Sequence, residues 1–154
     1  MTLYLLALLI GVVAGMRAMT APAAVSWAAY VGWLDVSETW LAFLAHPVTP
    51  WVATALAIGE LITDQLPTTP SRTVPVAFGT RILVGGVCGA ALAAAGGSEM
   101  LGALAGVAGA CLGTFGGHAL RARLATAFGR DRPAAFLEDA IAITAALLIM
   151  LAMR

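Results

Sequence analysis

LYLLALLIGVVAGMRAMTAPAAVSWAAY, residues 3–30, is the stretch on which the fold turns. Its 28 residues exceed the roughly twenty that a helix needs to cross the hydrocarbon of a bilayer. Two residues interrupt an otherwise apolar run. Arg17 places a cation where lipid offers it nothing, and Pro22 removes a backbone hydrogen bond while its ring presses on the carbonyl of Ala18, four residues back. The stretch therefore reads as a first membrane helix, kinked or broken near Arg17. A secretory signal is the alternative, with Leu3–Met16 as its apolar core and Ala21–Ala24 as a cleavage region. No cation precedes the run and the apolar chain resumes from Ala18 to Trp33, so continuing protein is the expectation.

The rest of the chain has the same character. Of 154 residues 61% are apolar and 10% charged, too few charges to cover a water-facing surface. All eight cations are Arg and the net charge is zero, which leaves no basic stripe for phosphates and excludes nucleic acid as a partner. Cys88 and Cys111 lie within Gly/Ala-rich runs without the close pairing of a metal or redox motif, and read as small packing residues.

Five apolar segments emerge: Leu3–Tyr30, Trp51–Leu66, Phe78–Gly96, Leu101–Leu120 and Ala134–Met153. The expected fold is all-α, a polytopic transmembrane bundle of about five spans forming one domain over residues 1–154. Loop charges set its orientation. Residues 31–50 (Asp35, Glu38, His46) and the turn Gly96-Gly97-Ser98-Glu99 carry no cation, whereas residues 67–81 hold Arg72 and Arg81, and residues 121–133 hold Arg121, Arg123, Arg130 and Arg132. Cytoplasmic loops collect Arg and Lys. Five spans with a cytoplasmic amino terminus and an external carboxyl terminus satisfy every loop.

Segments three and four are dense in glycine. Gly102-x-x-x-Gly106 and Gly109-x-x-x-Gly113 give a flat strip for close backbone approach, within the bundle or between copies of a homo-oligomer.

Ionisable residues within spans are costly and so face a bundle interior, pair with one another, or line a path. Arg17, at the break, could hold an anion or a carboxylate. Glu60 and Asp64, four residues apart, share a helix face and suit proton exchange or a hard cation. Glu138 and Asp139 open segment five, where capping and the helix dipole are an equal explanation. Arg72 sits in the proline-rich loop LPTTPSRTVP, residues 66–75, as a phosphate or carboxylate donor or a plain orientation charge. His118 could reach the Glu60 layer, and no His spacing supports a transition-metal site. Counted from Leu3, Arg17 lies about 20 Å in, which places it in the outer half, apart from the cytoplasmic-side cluster of the other charges. An internal repeat is suggested by Gly11-x-x-x-Gly15 and Gly109-x-x-x-Gly113, each followed by a helix bearing Glu60 or Glu138, but inversion would put those carboxylates at opposite depths.

Four stretches, GVVAGMRAMTAPA from Gly11, GELITDQLPTTPSRT from Gly59, GTFGG from Gly113 and LEDAIAI from Leu137, resemble those of a family of small bacterial membrane proteins known as domain of unknown function 4126. The resemblance covers nearly the whole chain and implies a bacterial cytoplasmic membrane protein. Arg17, Glu60, Asp64, Pro67, Pro70, Arg72, Glu138 and Asp139 fall in its motif segments. It implies no activity.

The expected function is a small transporter or channel for an ion or polar solute, possible with proton coupling, surrounded by membrane lipids and using no cofactor. Arg17, Glu60, Asp64, Arg72, His118, Glu138 and Asp139 are its candidate binding residues. A non-transporting scaffold is the alternative. An enzyme acting on lipid headgroups ranks third, for want of a recognisable catalytic set.

Overall fold

A computed structural model describes residues 1–64, 73–94 and 96–154 of the chain. Helix makes up 81% of it, and there is no strand among the described residues. The helices are α1 (Thr2–Met16), α2 (Thr20–Tyr30), α3 (Thr49–Thr63), α4 (Pro75–Ala94), α5 (Glu99–Phe128) and α6 (Asp131–Met153). Of these, α4, α5 and α6 are long and apolar enough to cross a membrane, and α1 is a shorter apolar helix.

The expected break in the first segment is complete. Arg17 is extended (φ −138°, ψ 105°) and caps α1, its N–H still bonding Val13, and α2 begins three residues on. Pro22 lies in the first turn of α2, where a missing N–H costs nothing. The chain cannot carry α1 through Ala18, so it ends one helix and starts another.

Side-chain contacts show that the second helix doubles back. Leu3 lies against Gly96, in the α4–α5 turn, and Trp40 Nε1 donates to Glu99 at the start of α5 (2.8 Å). Arg154 stacks on Trp33. The start of α1, the loop after α2, the α4–α5 turn and the end of α6 thus share one end of the bundle, here the acidic end. Arg121 binds Asp131 across the α5–α6 junction and reaches the Asp64 carbonyl (3.4 Å), which defines the opposite, arginine end. The first segment was expected to run from one face to the other as a single span. It is instead a hairpin of two short legs, about 22 and 16 Å long at 1.5 Å per residue.

Two helices begin or end elsewhere than the loop charges implied. Pro75, an N1 residue whose fixed φ suits a helix start, opens α4 before Arg81, so Arg81 is helical and buried. Helix α5 continues through Arg121 and Arg123 to Phe128 and stops at Gly129, which takes the left-handed φ (65°) that favours glycine. Asp131 then stands in the first turn of α6, where its charge suits the dipole. The connection between α5 and α6 is two residues long.

Close approach of backbones holds α1, α4 and α5 together. A Cβ built on Gly102 or Gly106 would fall on the backbone of α4 at Gly89 or Gly85, and one on Gly109 or Gly113 would fall on α1 at Leu8 or Val12. The two glycine pairs of α5 therefore serve two different neighbours within this chain. Cys88 is buried in this packing and Cys111 is half-buried, both as free thiols. Around the glycine core, Leu6, Ile10, Val13, Val25, Leu92 and Ile149 contribute to one continuous apolar cluster.

Candidate functional site at the helix break

Starting α2 and ending α1 inside the bundle frees N–H groups on one side and carbonyls on the other, and each needs a partner away from water. Glu60 supplies the first set. Reaching from α3, its two carboxylate oxygens accept the N–H groups of Ala18 and Met19, both at 2.8 Å. The carboxylate thereby sits on the positive end of α2. Arg81, from α4, serves the second set: its Nε donates to the Gly15 carbonyl (3.1 Å) and its Nη2 approaches Glu60 (3.5 Å). Thr114 of α5 donates to the same Gly15 carbonyl (3.3 Å) and to Ala110 (2.8 Å). One chain of polar contacts runs from Gly15 through Arg81 and Glu60 to Ala18 and Met19, closing the break from both sides.

The Arg17 side chain leaves the break in a different direction. It is 0% exposed, and its guanidinium forms ion pairs with Asp64 of the α3 C-cap and Asp139 of α6, with Glu138 at 3.8 Å. Arg121 continues the cluster, 3.9 Å from Glu138 and bidentate to Asp131 (3.0 and 2.6 Å). Carboxylates and guanidiniums therefore alternate from α3 through the break to α6 and α5. In a low-dielectric interior such charges persist only as pairs, and a proton gained by any carboxylate weakens the contacts on both sides of it.

Arg17, Glu60, Asp64, Glu138 and Asp139 come together here, as charged residues within apolar segments are expected to. Arg17 was expected to stand apart in depth. It lies at the centre of the cluster, because α1 enters from the acidic end and its 22 Å carry it to the carboxylates. His118 is exposed on α5, one turn beyond Thr114. Arg72 falls outside the described residues. Arg81 and Arg121 were expected in the cytoplasmic-side cluster of charges but not among its binding residues, and Thr114 was not singled out. The signal for the two arginines was present, since each borders an apolar run, but the orientation rule accounted for them as loop charges. Among the described residues no group of three or more His, Cys, Asp or Glu side chains is placed to hold a metal ion; Asp64, Glu138 and Asp139 instead face a guanidinium.

The model of a family described as Domain of unknown function (DUF4126) matches residues 4–152. No curated protein and no solved structure matches the chain.

Proposed function

The chain belongs to the DUF4126 family, and we propose that it is a small integral membrane transporter or channel for an ion or polar solute, coupled to protons through the carboxylates at the helix break. The observation that carries this reading is the break itself: a helix interrupted at Arg17, with a fully buried guanidinium held by carboxylates of two other helices. Discontinuous helices place half-helix ends and ionisable side chains at depths where a continuous helix offers only lipid-facing carbon, and membrane proteins use such places to bind and pass ions.

The protein sits in a bacterial cytoplasmic membrane with the arginine end inside, by the same rule that assigns Arg-rich loops to the cytoplasm. Both the start of α1 and the end of α6 are then outside, opposite to the cytoplasmic amino terminus expected from the sequence. Tyr30, Trp33, Trp40 and Trp51, all exposed near the acidic end, form the aromatic belt of the outer interface. Arg17 lies in the inner half, about 20 Å from the outer interface.

Solid-supported-membrane electrophysiology on proteoliposomes tests the reading with a panel of monovalent ions, small carboxylates and small amines. At least one should give a current that Glu60→Gln combined with Asp64→Asn abolishes while the protein remains folded. No current from the wild type with any member, or currents unchanged in the double variant, would overturn it.

A membrane scaffold is the second reading, favoured by the ion pairing of Arg17 with Asp64 and Asp139. Exchanging charges, Arg17→Asp with Asp64→Arg, separates the two. A scaffold recovers assembly in the exchanged protein, and a transporter recovers folding without current.

A further inference from the structure

We propose that Glu60 is a proton-released latch: while ionised it clamps the start of α2 to α3 and α4, and a proton on it lets the α1–α2 break open at the arginine end. The latch goes beyond the transport reading, because the break alone defines it and it would operate in a protein that carries no solute.

The two ends of α2 are held by different chemistry. Far from the break, Trp27 donates to Thr54 of α3 (3.0 Å) and packs edge-on against Trp51 (ring centres 5.1 Å apart), contacts without a titratable group. At the break, α3 holds the start of α2 through the two N–H bonds to Glu60. Both need a carboxylate. Protonation turns one of the oxygens into a hydroxyl, a far weaker acceptor for the N–H it faces, and neutralisation weakens the attraction to Arg81 and to the dipole of α2. Three contacts thus weaken together, and α2 is left held at Trp27, a pivot some 12 Å further along the helix. Arg81 keeps its bond to Gly15, so the end of α1 stays in place while the start of α2 moves.

The charged groups around Glu60 decide whether the latch belongs to it alone. Arg81 approaches from α4, and Asp64 stands in the next turn of α3, paired with Arg17 of the break. Beyond Arg17 lie Glu138 and Asp139 of α6, and Arg121 of α5 reaches the Asp64 carbonyl. Protonating Asp64, Glu138 or Asp139 would loosen the Arg17 side chain. The N–H groups of Ala18 and Met19 donate to Glu60, so protonation of the other three leaves the start of α2 clamped.

Amide hydrogen exchange of the full chain in lipid nanodiscs, without added solute, tests this directly. Protection factors corrected for intrinsic rates should fall about tenfold or more for Ala18 and Met19 between neutral and acidic pH, with Trp27 and the α4–α5 core unchanged. Glu60→Gln, which mimics the protonated group, should show the acidic level of protection at neutral pH and no further change on acidification. Unaltered wild-type protection across the pH series would overturn the latch. So would a pH profile that persists in Glu60→Gln, which would assign the switch to Asp64, Glu138 or Asp139. If Glu60→Gln does not fold, the wild-type series is read against Asp64→Asn, which should retain the profile; its loss there would overturn the proposal. Failure here leaves the current measurement standing, and the reverse.

Discussion

The guanidinium of Arg154, at the end of α6, lies 5.6 Å from the centre of the Trp33 ring, in the loop that follows α2. The contact fixes which ends of the bundle coincide. Leu3 against Gly96 and Trp40 on Glu99 belong to the same end, and an even number of traverses separates the start of α1 from the end of α6. Reporters fused ahead of Thr2 and after Arg154 should therefore read the same compartment, and one inserted after Gly129 the other. Opposite readings at the two ends would exclude the hairpin of α1 and α2 and restore a single kinked first span.

Arg17 offers a sharp stability test. Replacing it by Met leaves Asp64, Asp139 and Glu138 gathered around a site that has lost its cation, and breaking a buried pair from one side costs about 3–5 kcal/mol. The loss should appear as an earlier unfolding midpoint in mixed micelles. Adding Asp64→Leu and Asp139→Leu removes two of the three stranded charges, leaves Glu138 beside Arg121, and should recover most of the loss, because apolar replacement of buried ion partners is close to neutral. A triple variant no better than Arg17→Met would show that Arg17 contributes by packing alone.

How much of this was legible in the sequence depends on whether a local feature or a distant contact decided it. The helical bundle followed from composition, and the break followed from Arg17 and Pro22 standing five residues apart. The direction of the chain after the break did not follow, since 28 residues serve equally for one tilted span or two short legs. Only contacts of Leu3, Trp33 and Trp40 with residues far along the chain choose between them. That one choice also displaced Arg17: it still lies about 20 Å along from Leu3, but Leu3 shares its end with the acidic loops and not with the arginine-rich ones. Arg81 and Arg121 were expected near the carboxylates, but their burial and direct pairing were hidden for another reason. A rule that counts cations near helix ends does not distinguish one in solvent from one that turns inward to Glu60 or Glu138.

Asp35, in the exposed loop at the acidic end, accepts hydrogen bonds from the hydroxyl and the N–H of Ser37 (2.7 and 3.0 Å), which hold its carboxyl below the usual carboxylate range. A depressed folded pKa stabilises the turn at pH above the unfolded value, and that contribution is lost as pH falls through the folded value. Ser37→Ala should move the Asp35 titration upward towards the usual range, observed by NMR on the side-chain carbonyl. No movement would mean that the backbone bond alone sets it.

Two glycines on α5 should respond in opposite ways to one methyl group. At Gly106 a Cβ would meet the carbonyl oxygen of Gly85, which belongs to the backbone of α4 and has no rotamer to change. Gly106→Ala must then push α4 and α5 apart along a packed face, costing about 1–3 kcal/mol or more. At Gly116 nothing lies within 4 Å, so Gly116→Ala adds only a better helix former and should raise stability by about 0.5–1 kcal/mol. Unfolding midpoints of the two variants in one detergent mixture give the comparison, with the unaltered chain as reference. The contrast isolates packing from propensity, because both sites lie inside the same helix and receive the same side chain. Equal behaviour of the two would mean that the approach of α4 to α5 is looser than the Gly85–Gly106 contact requires.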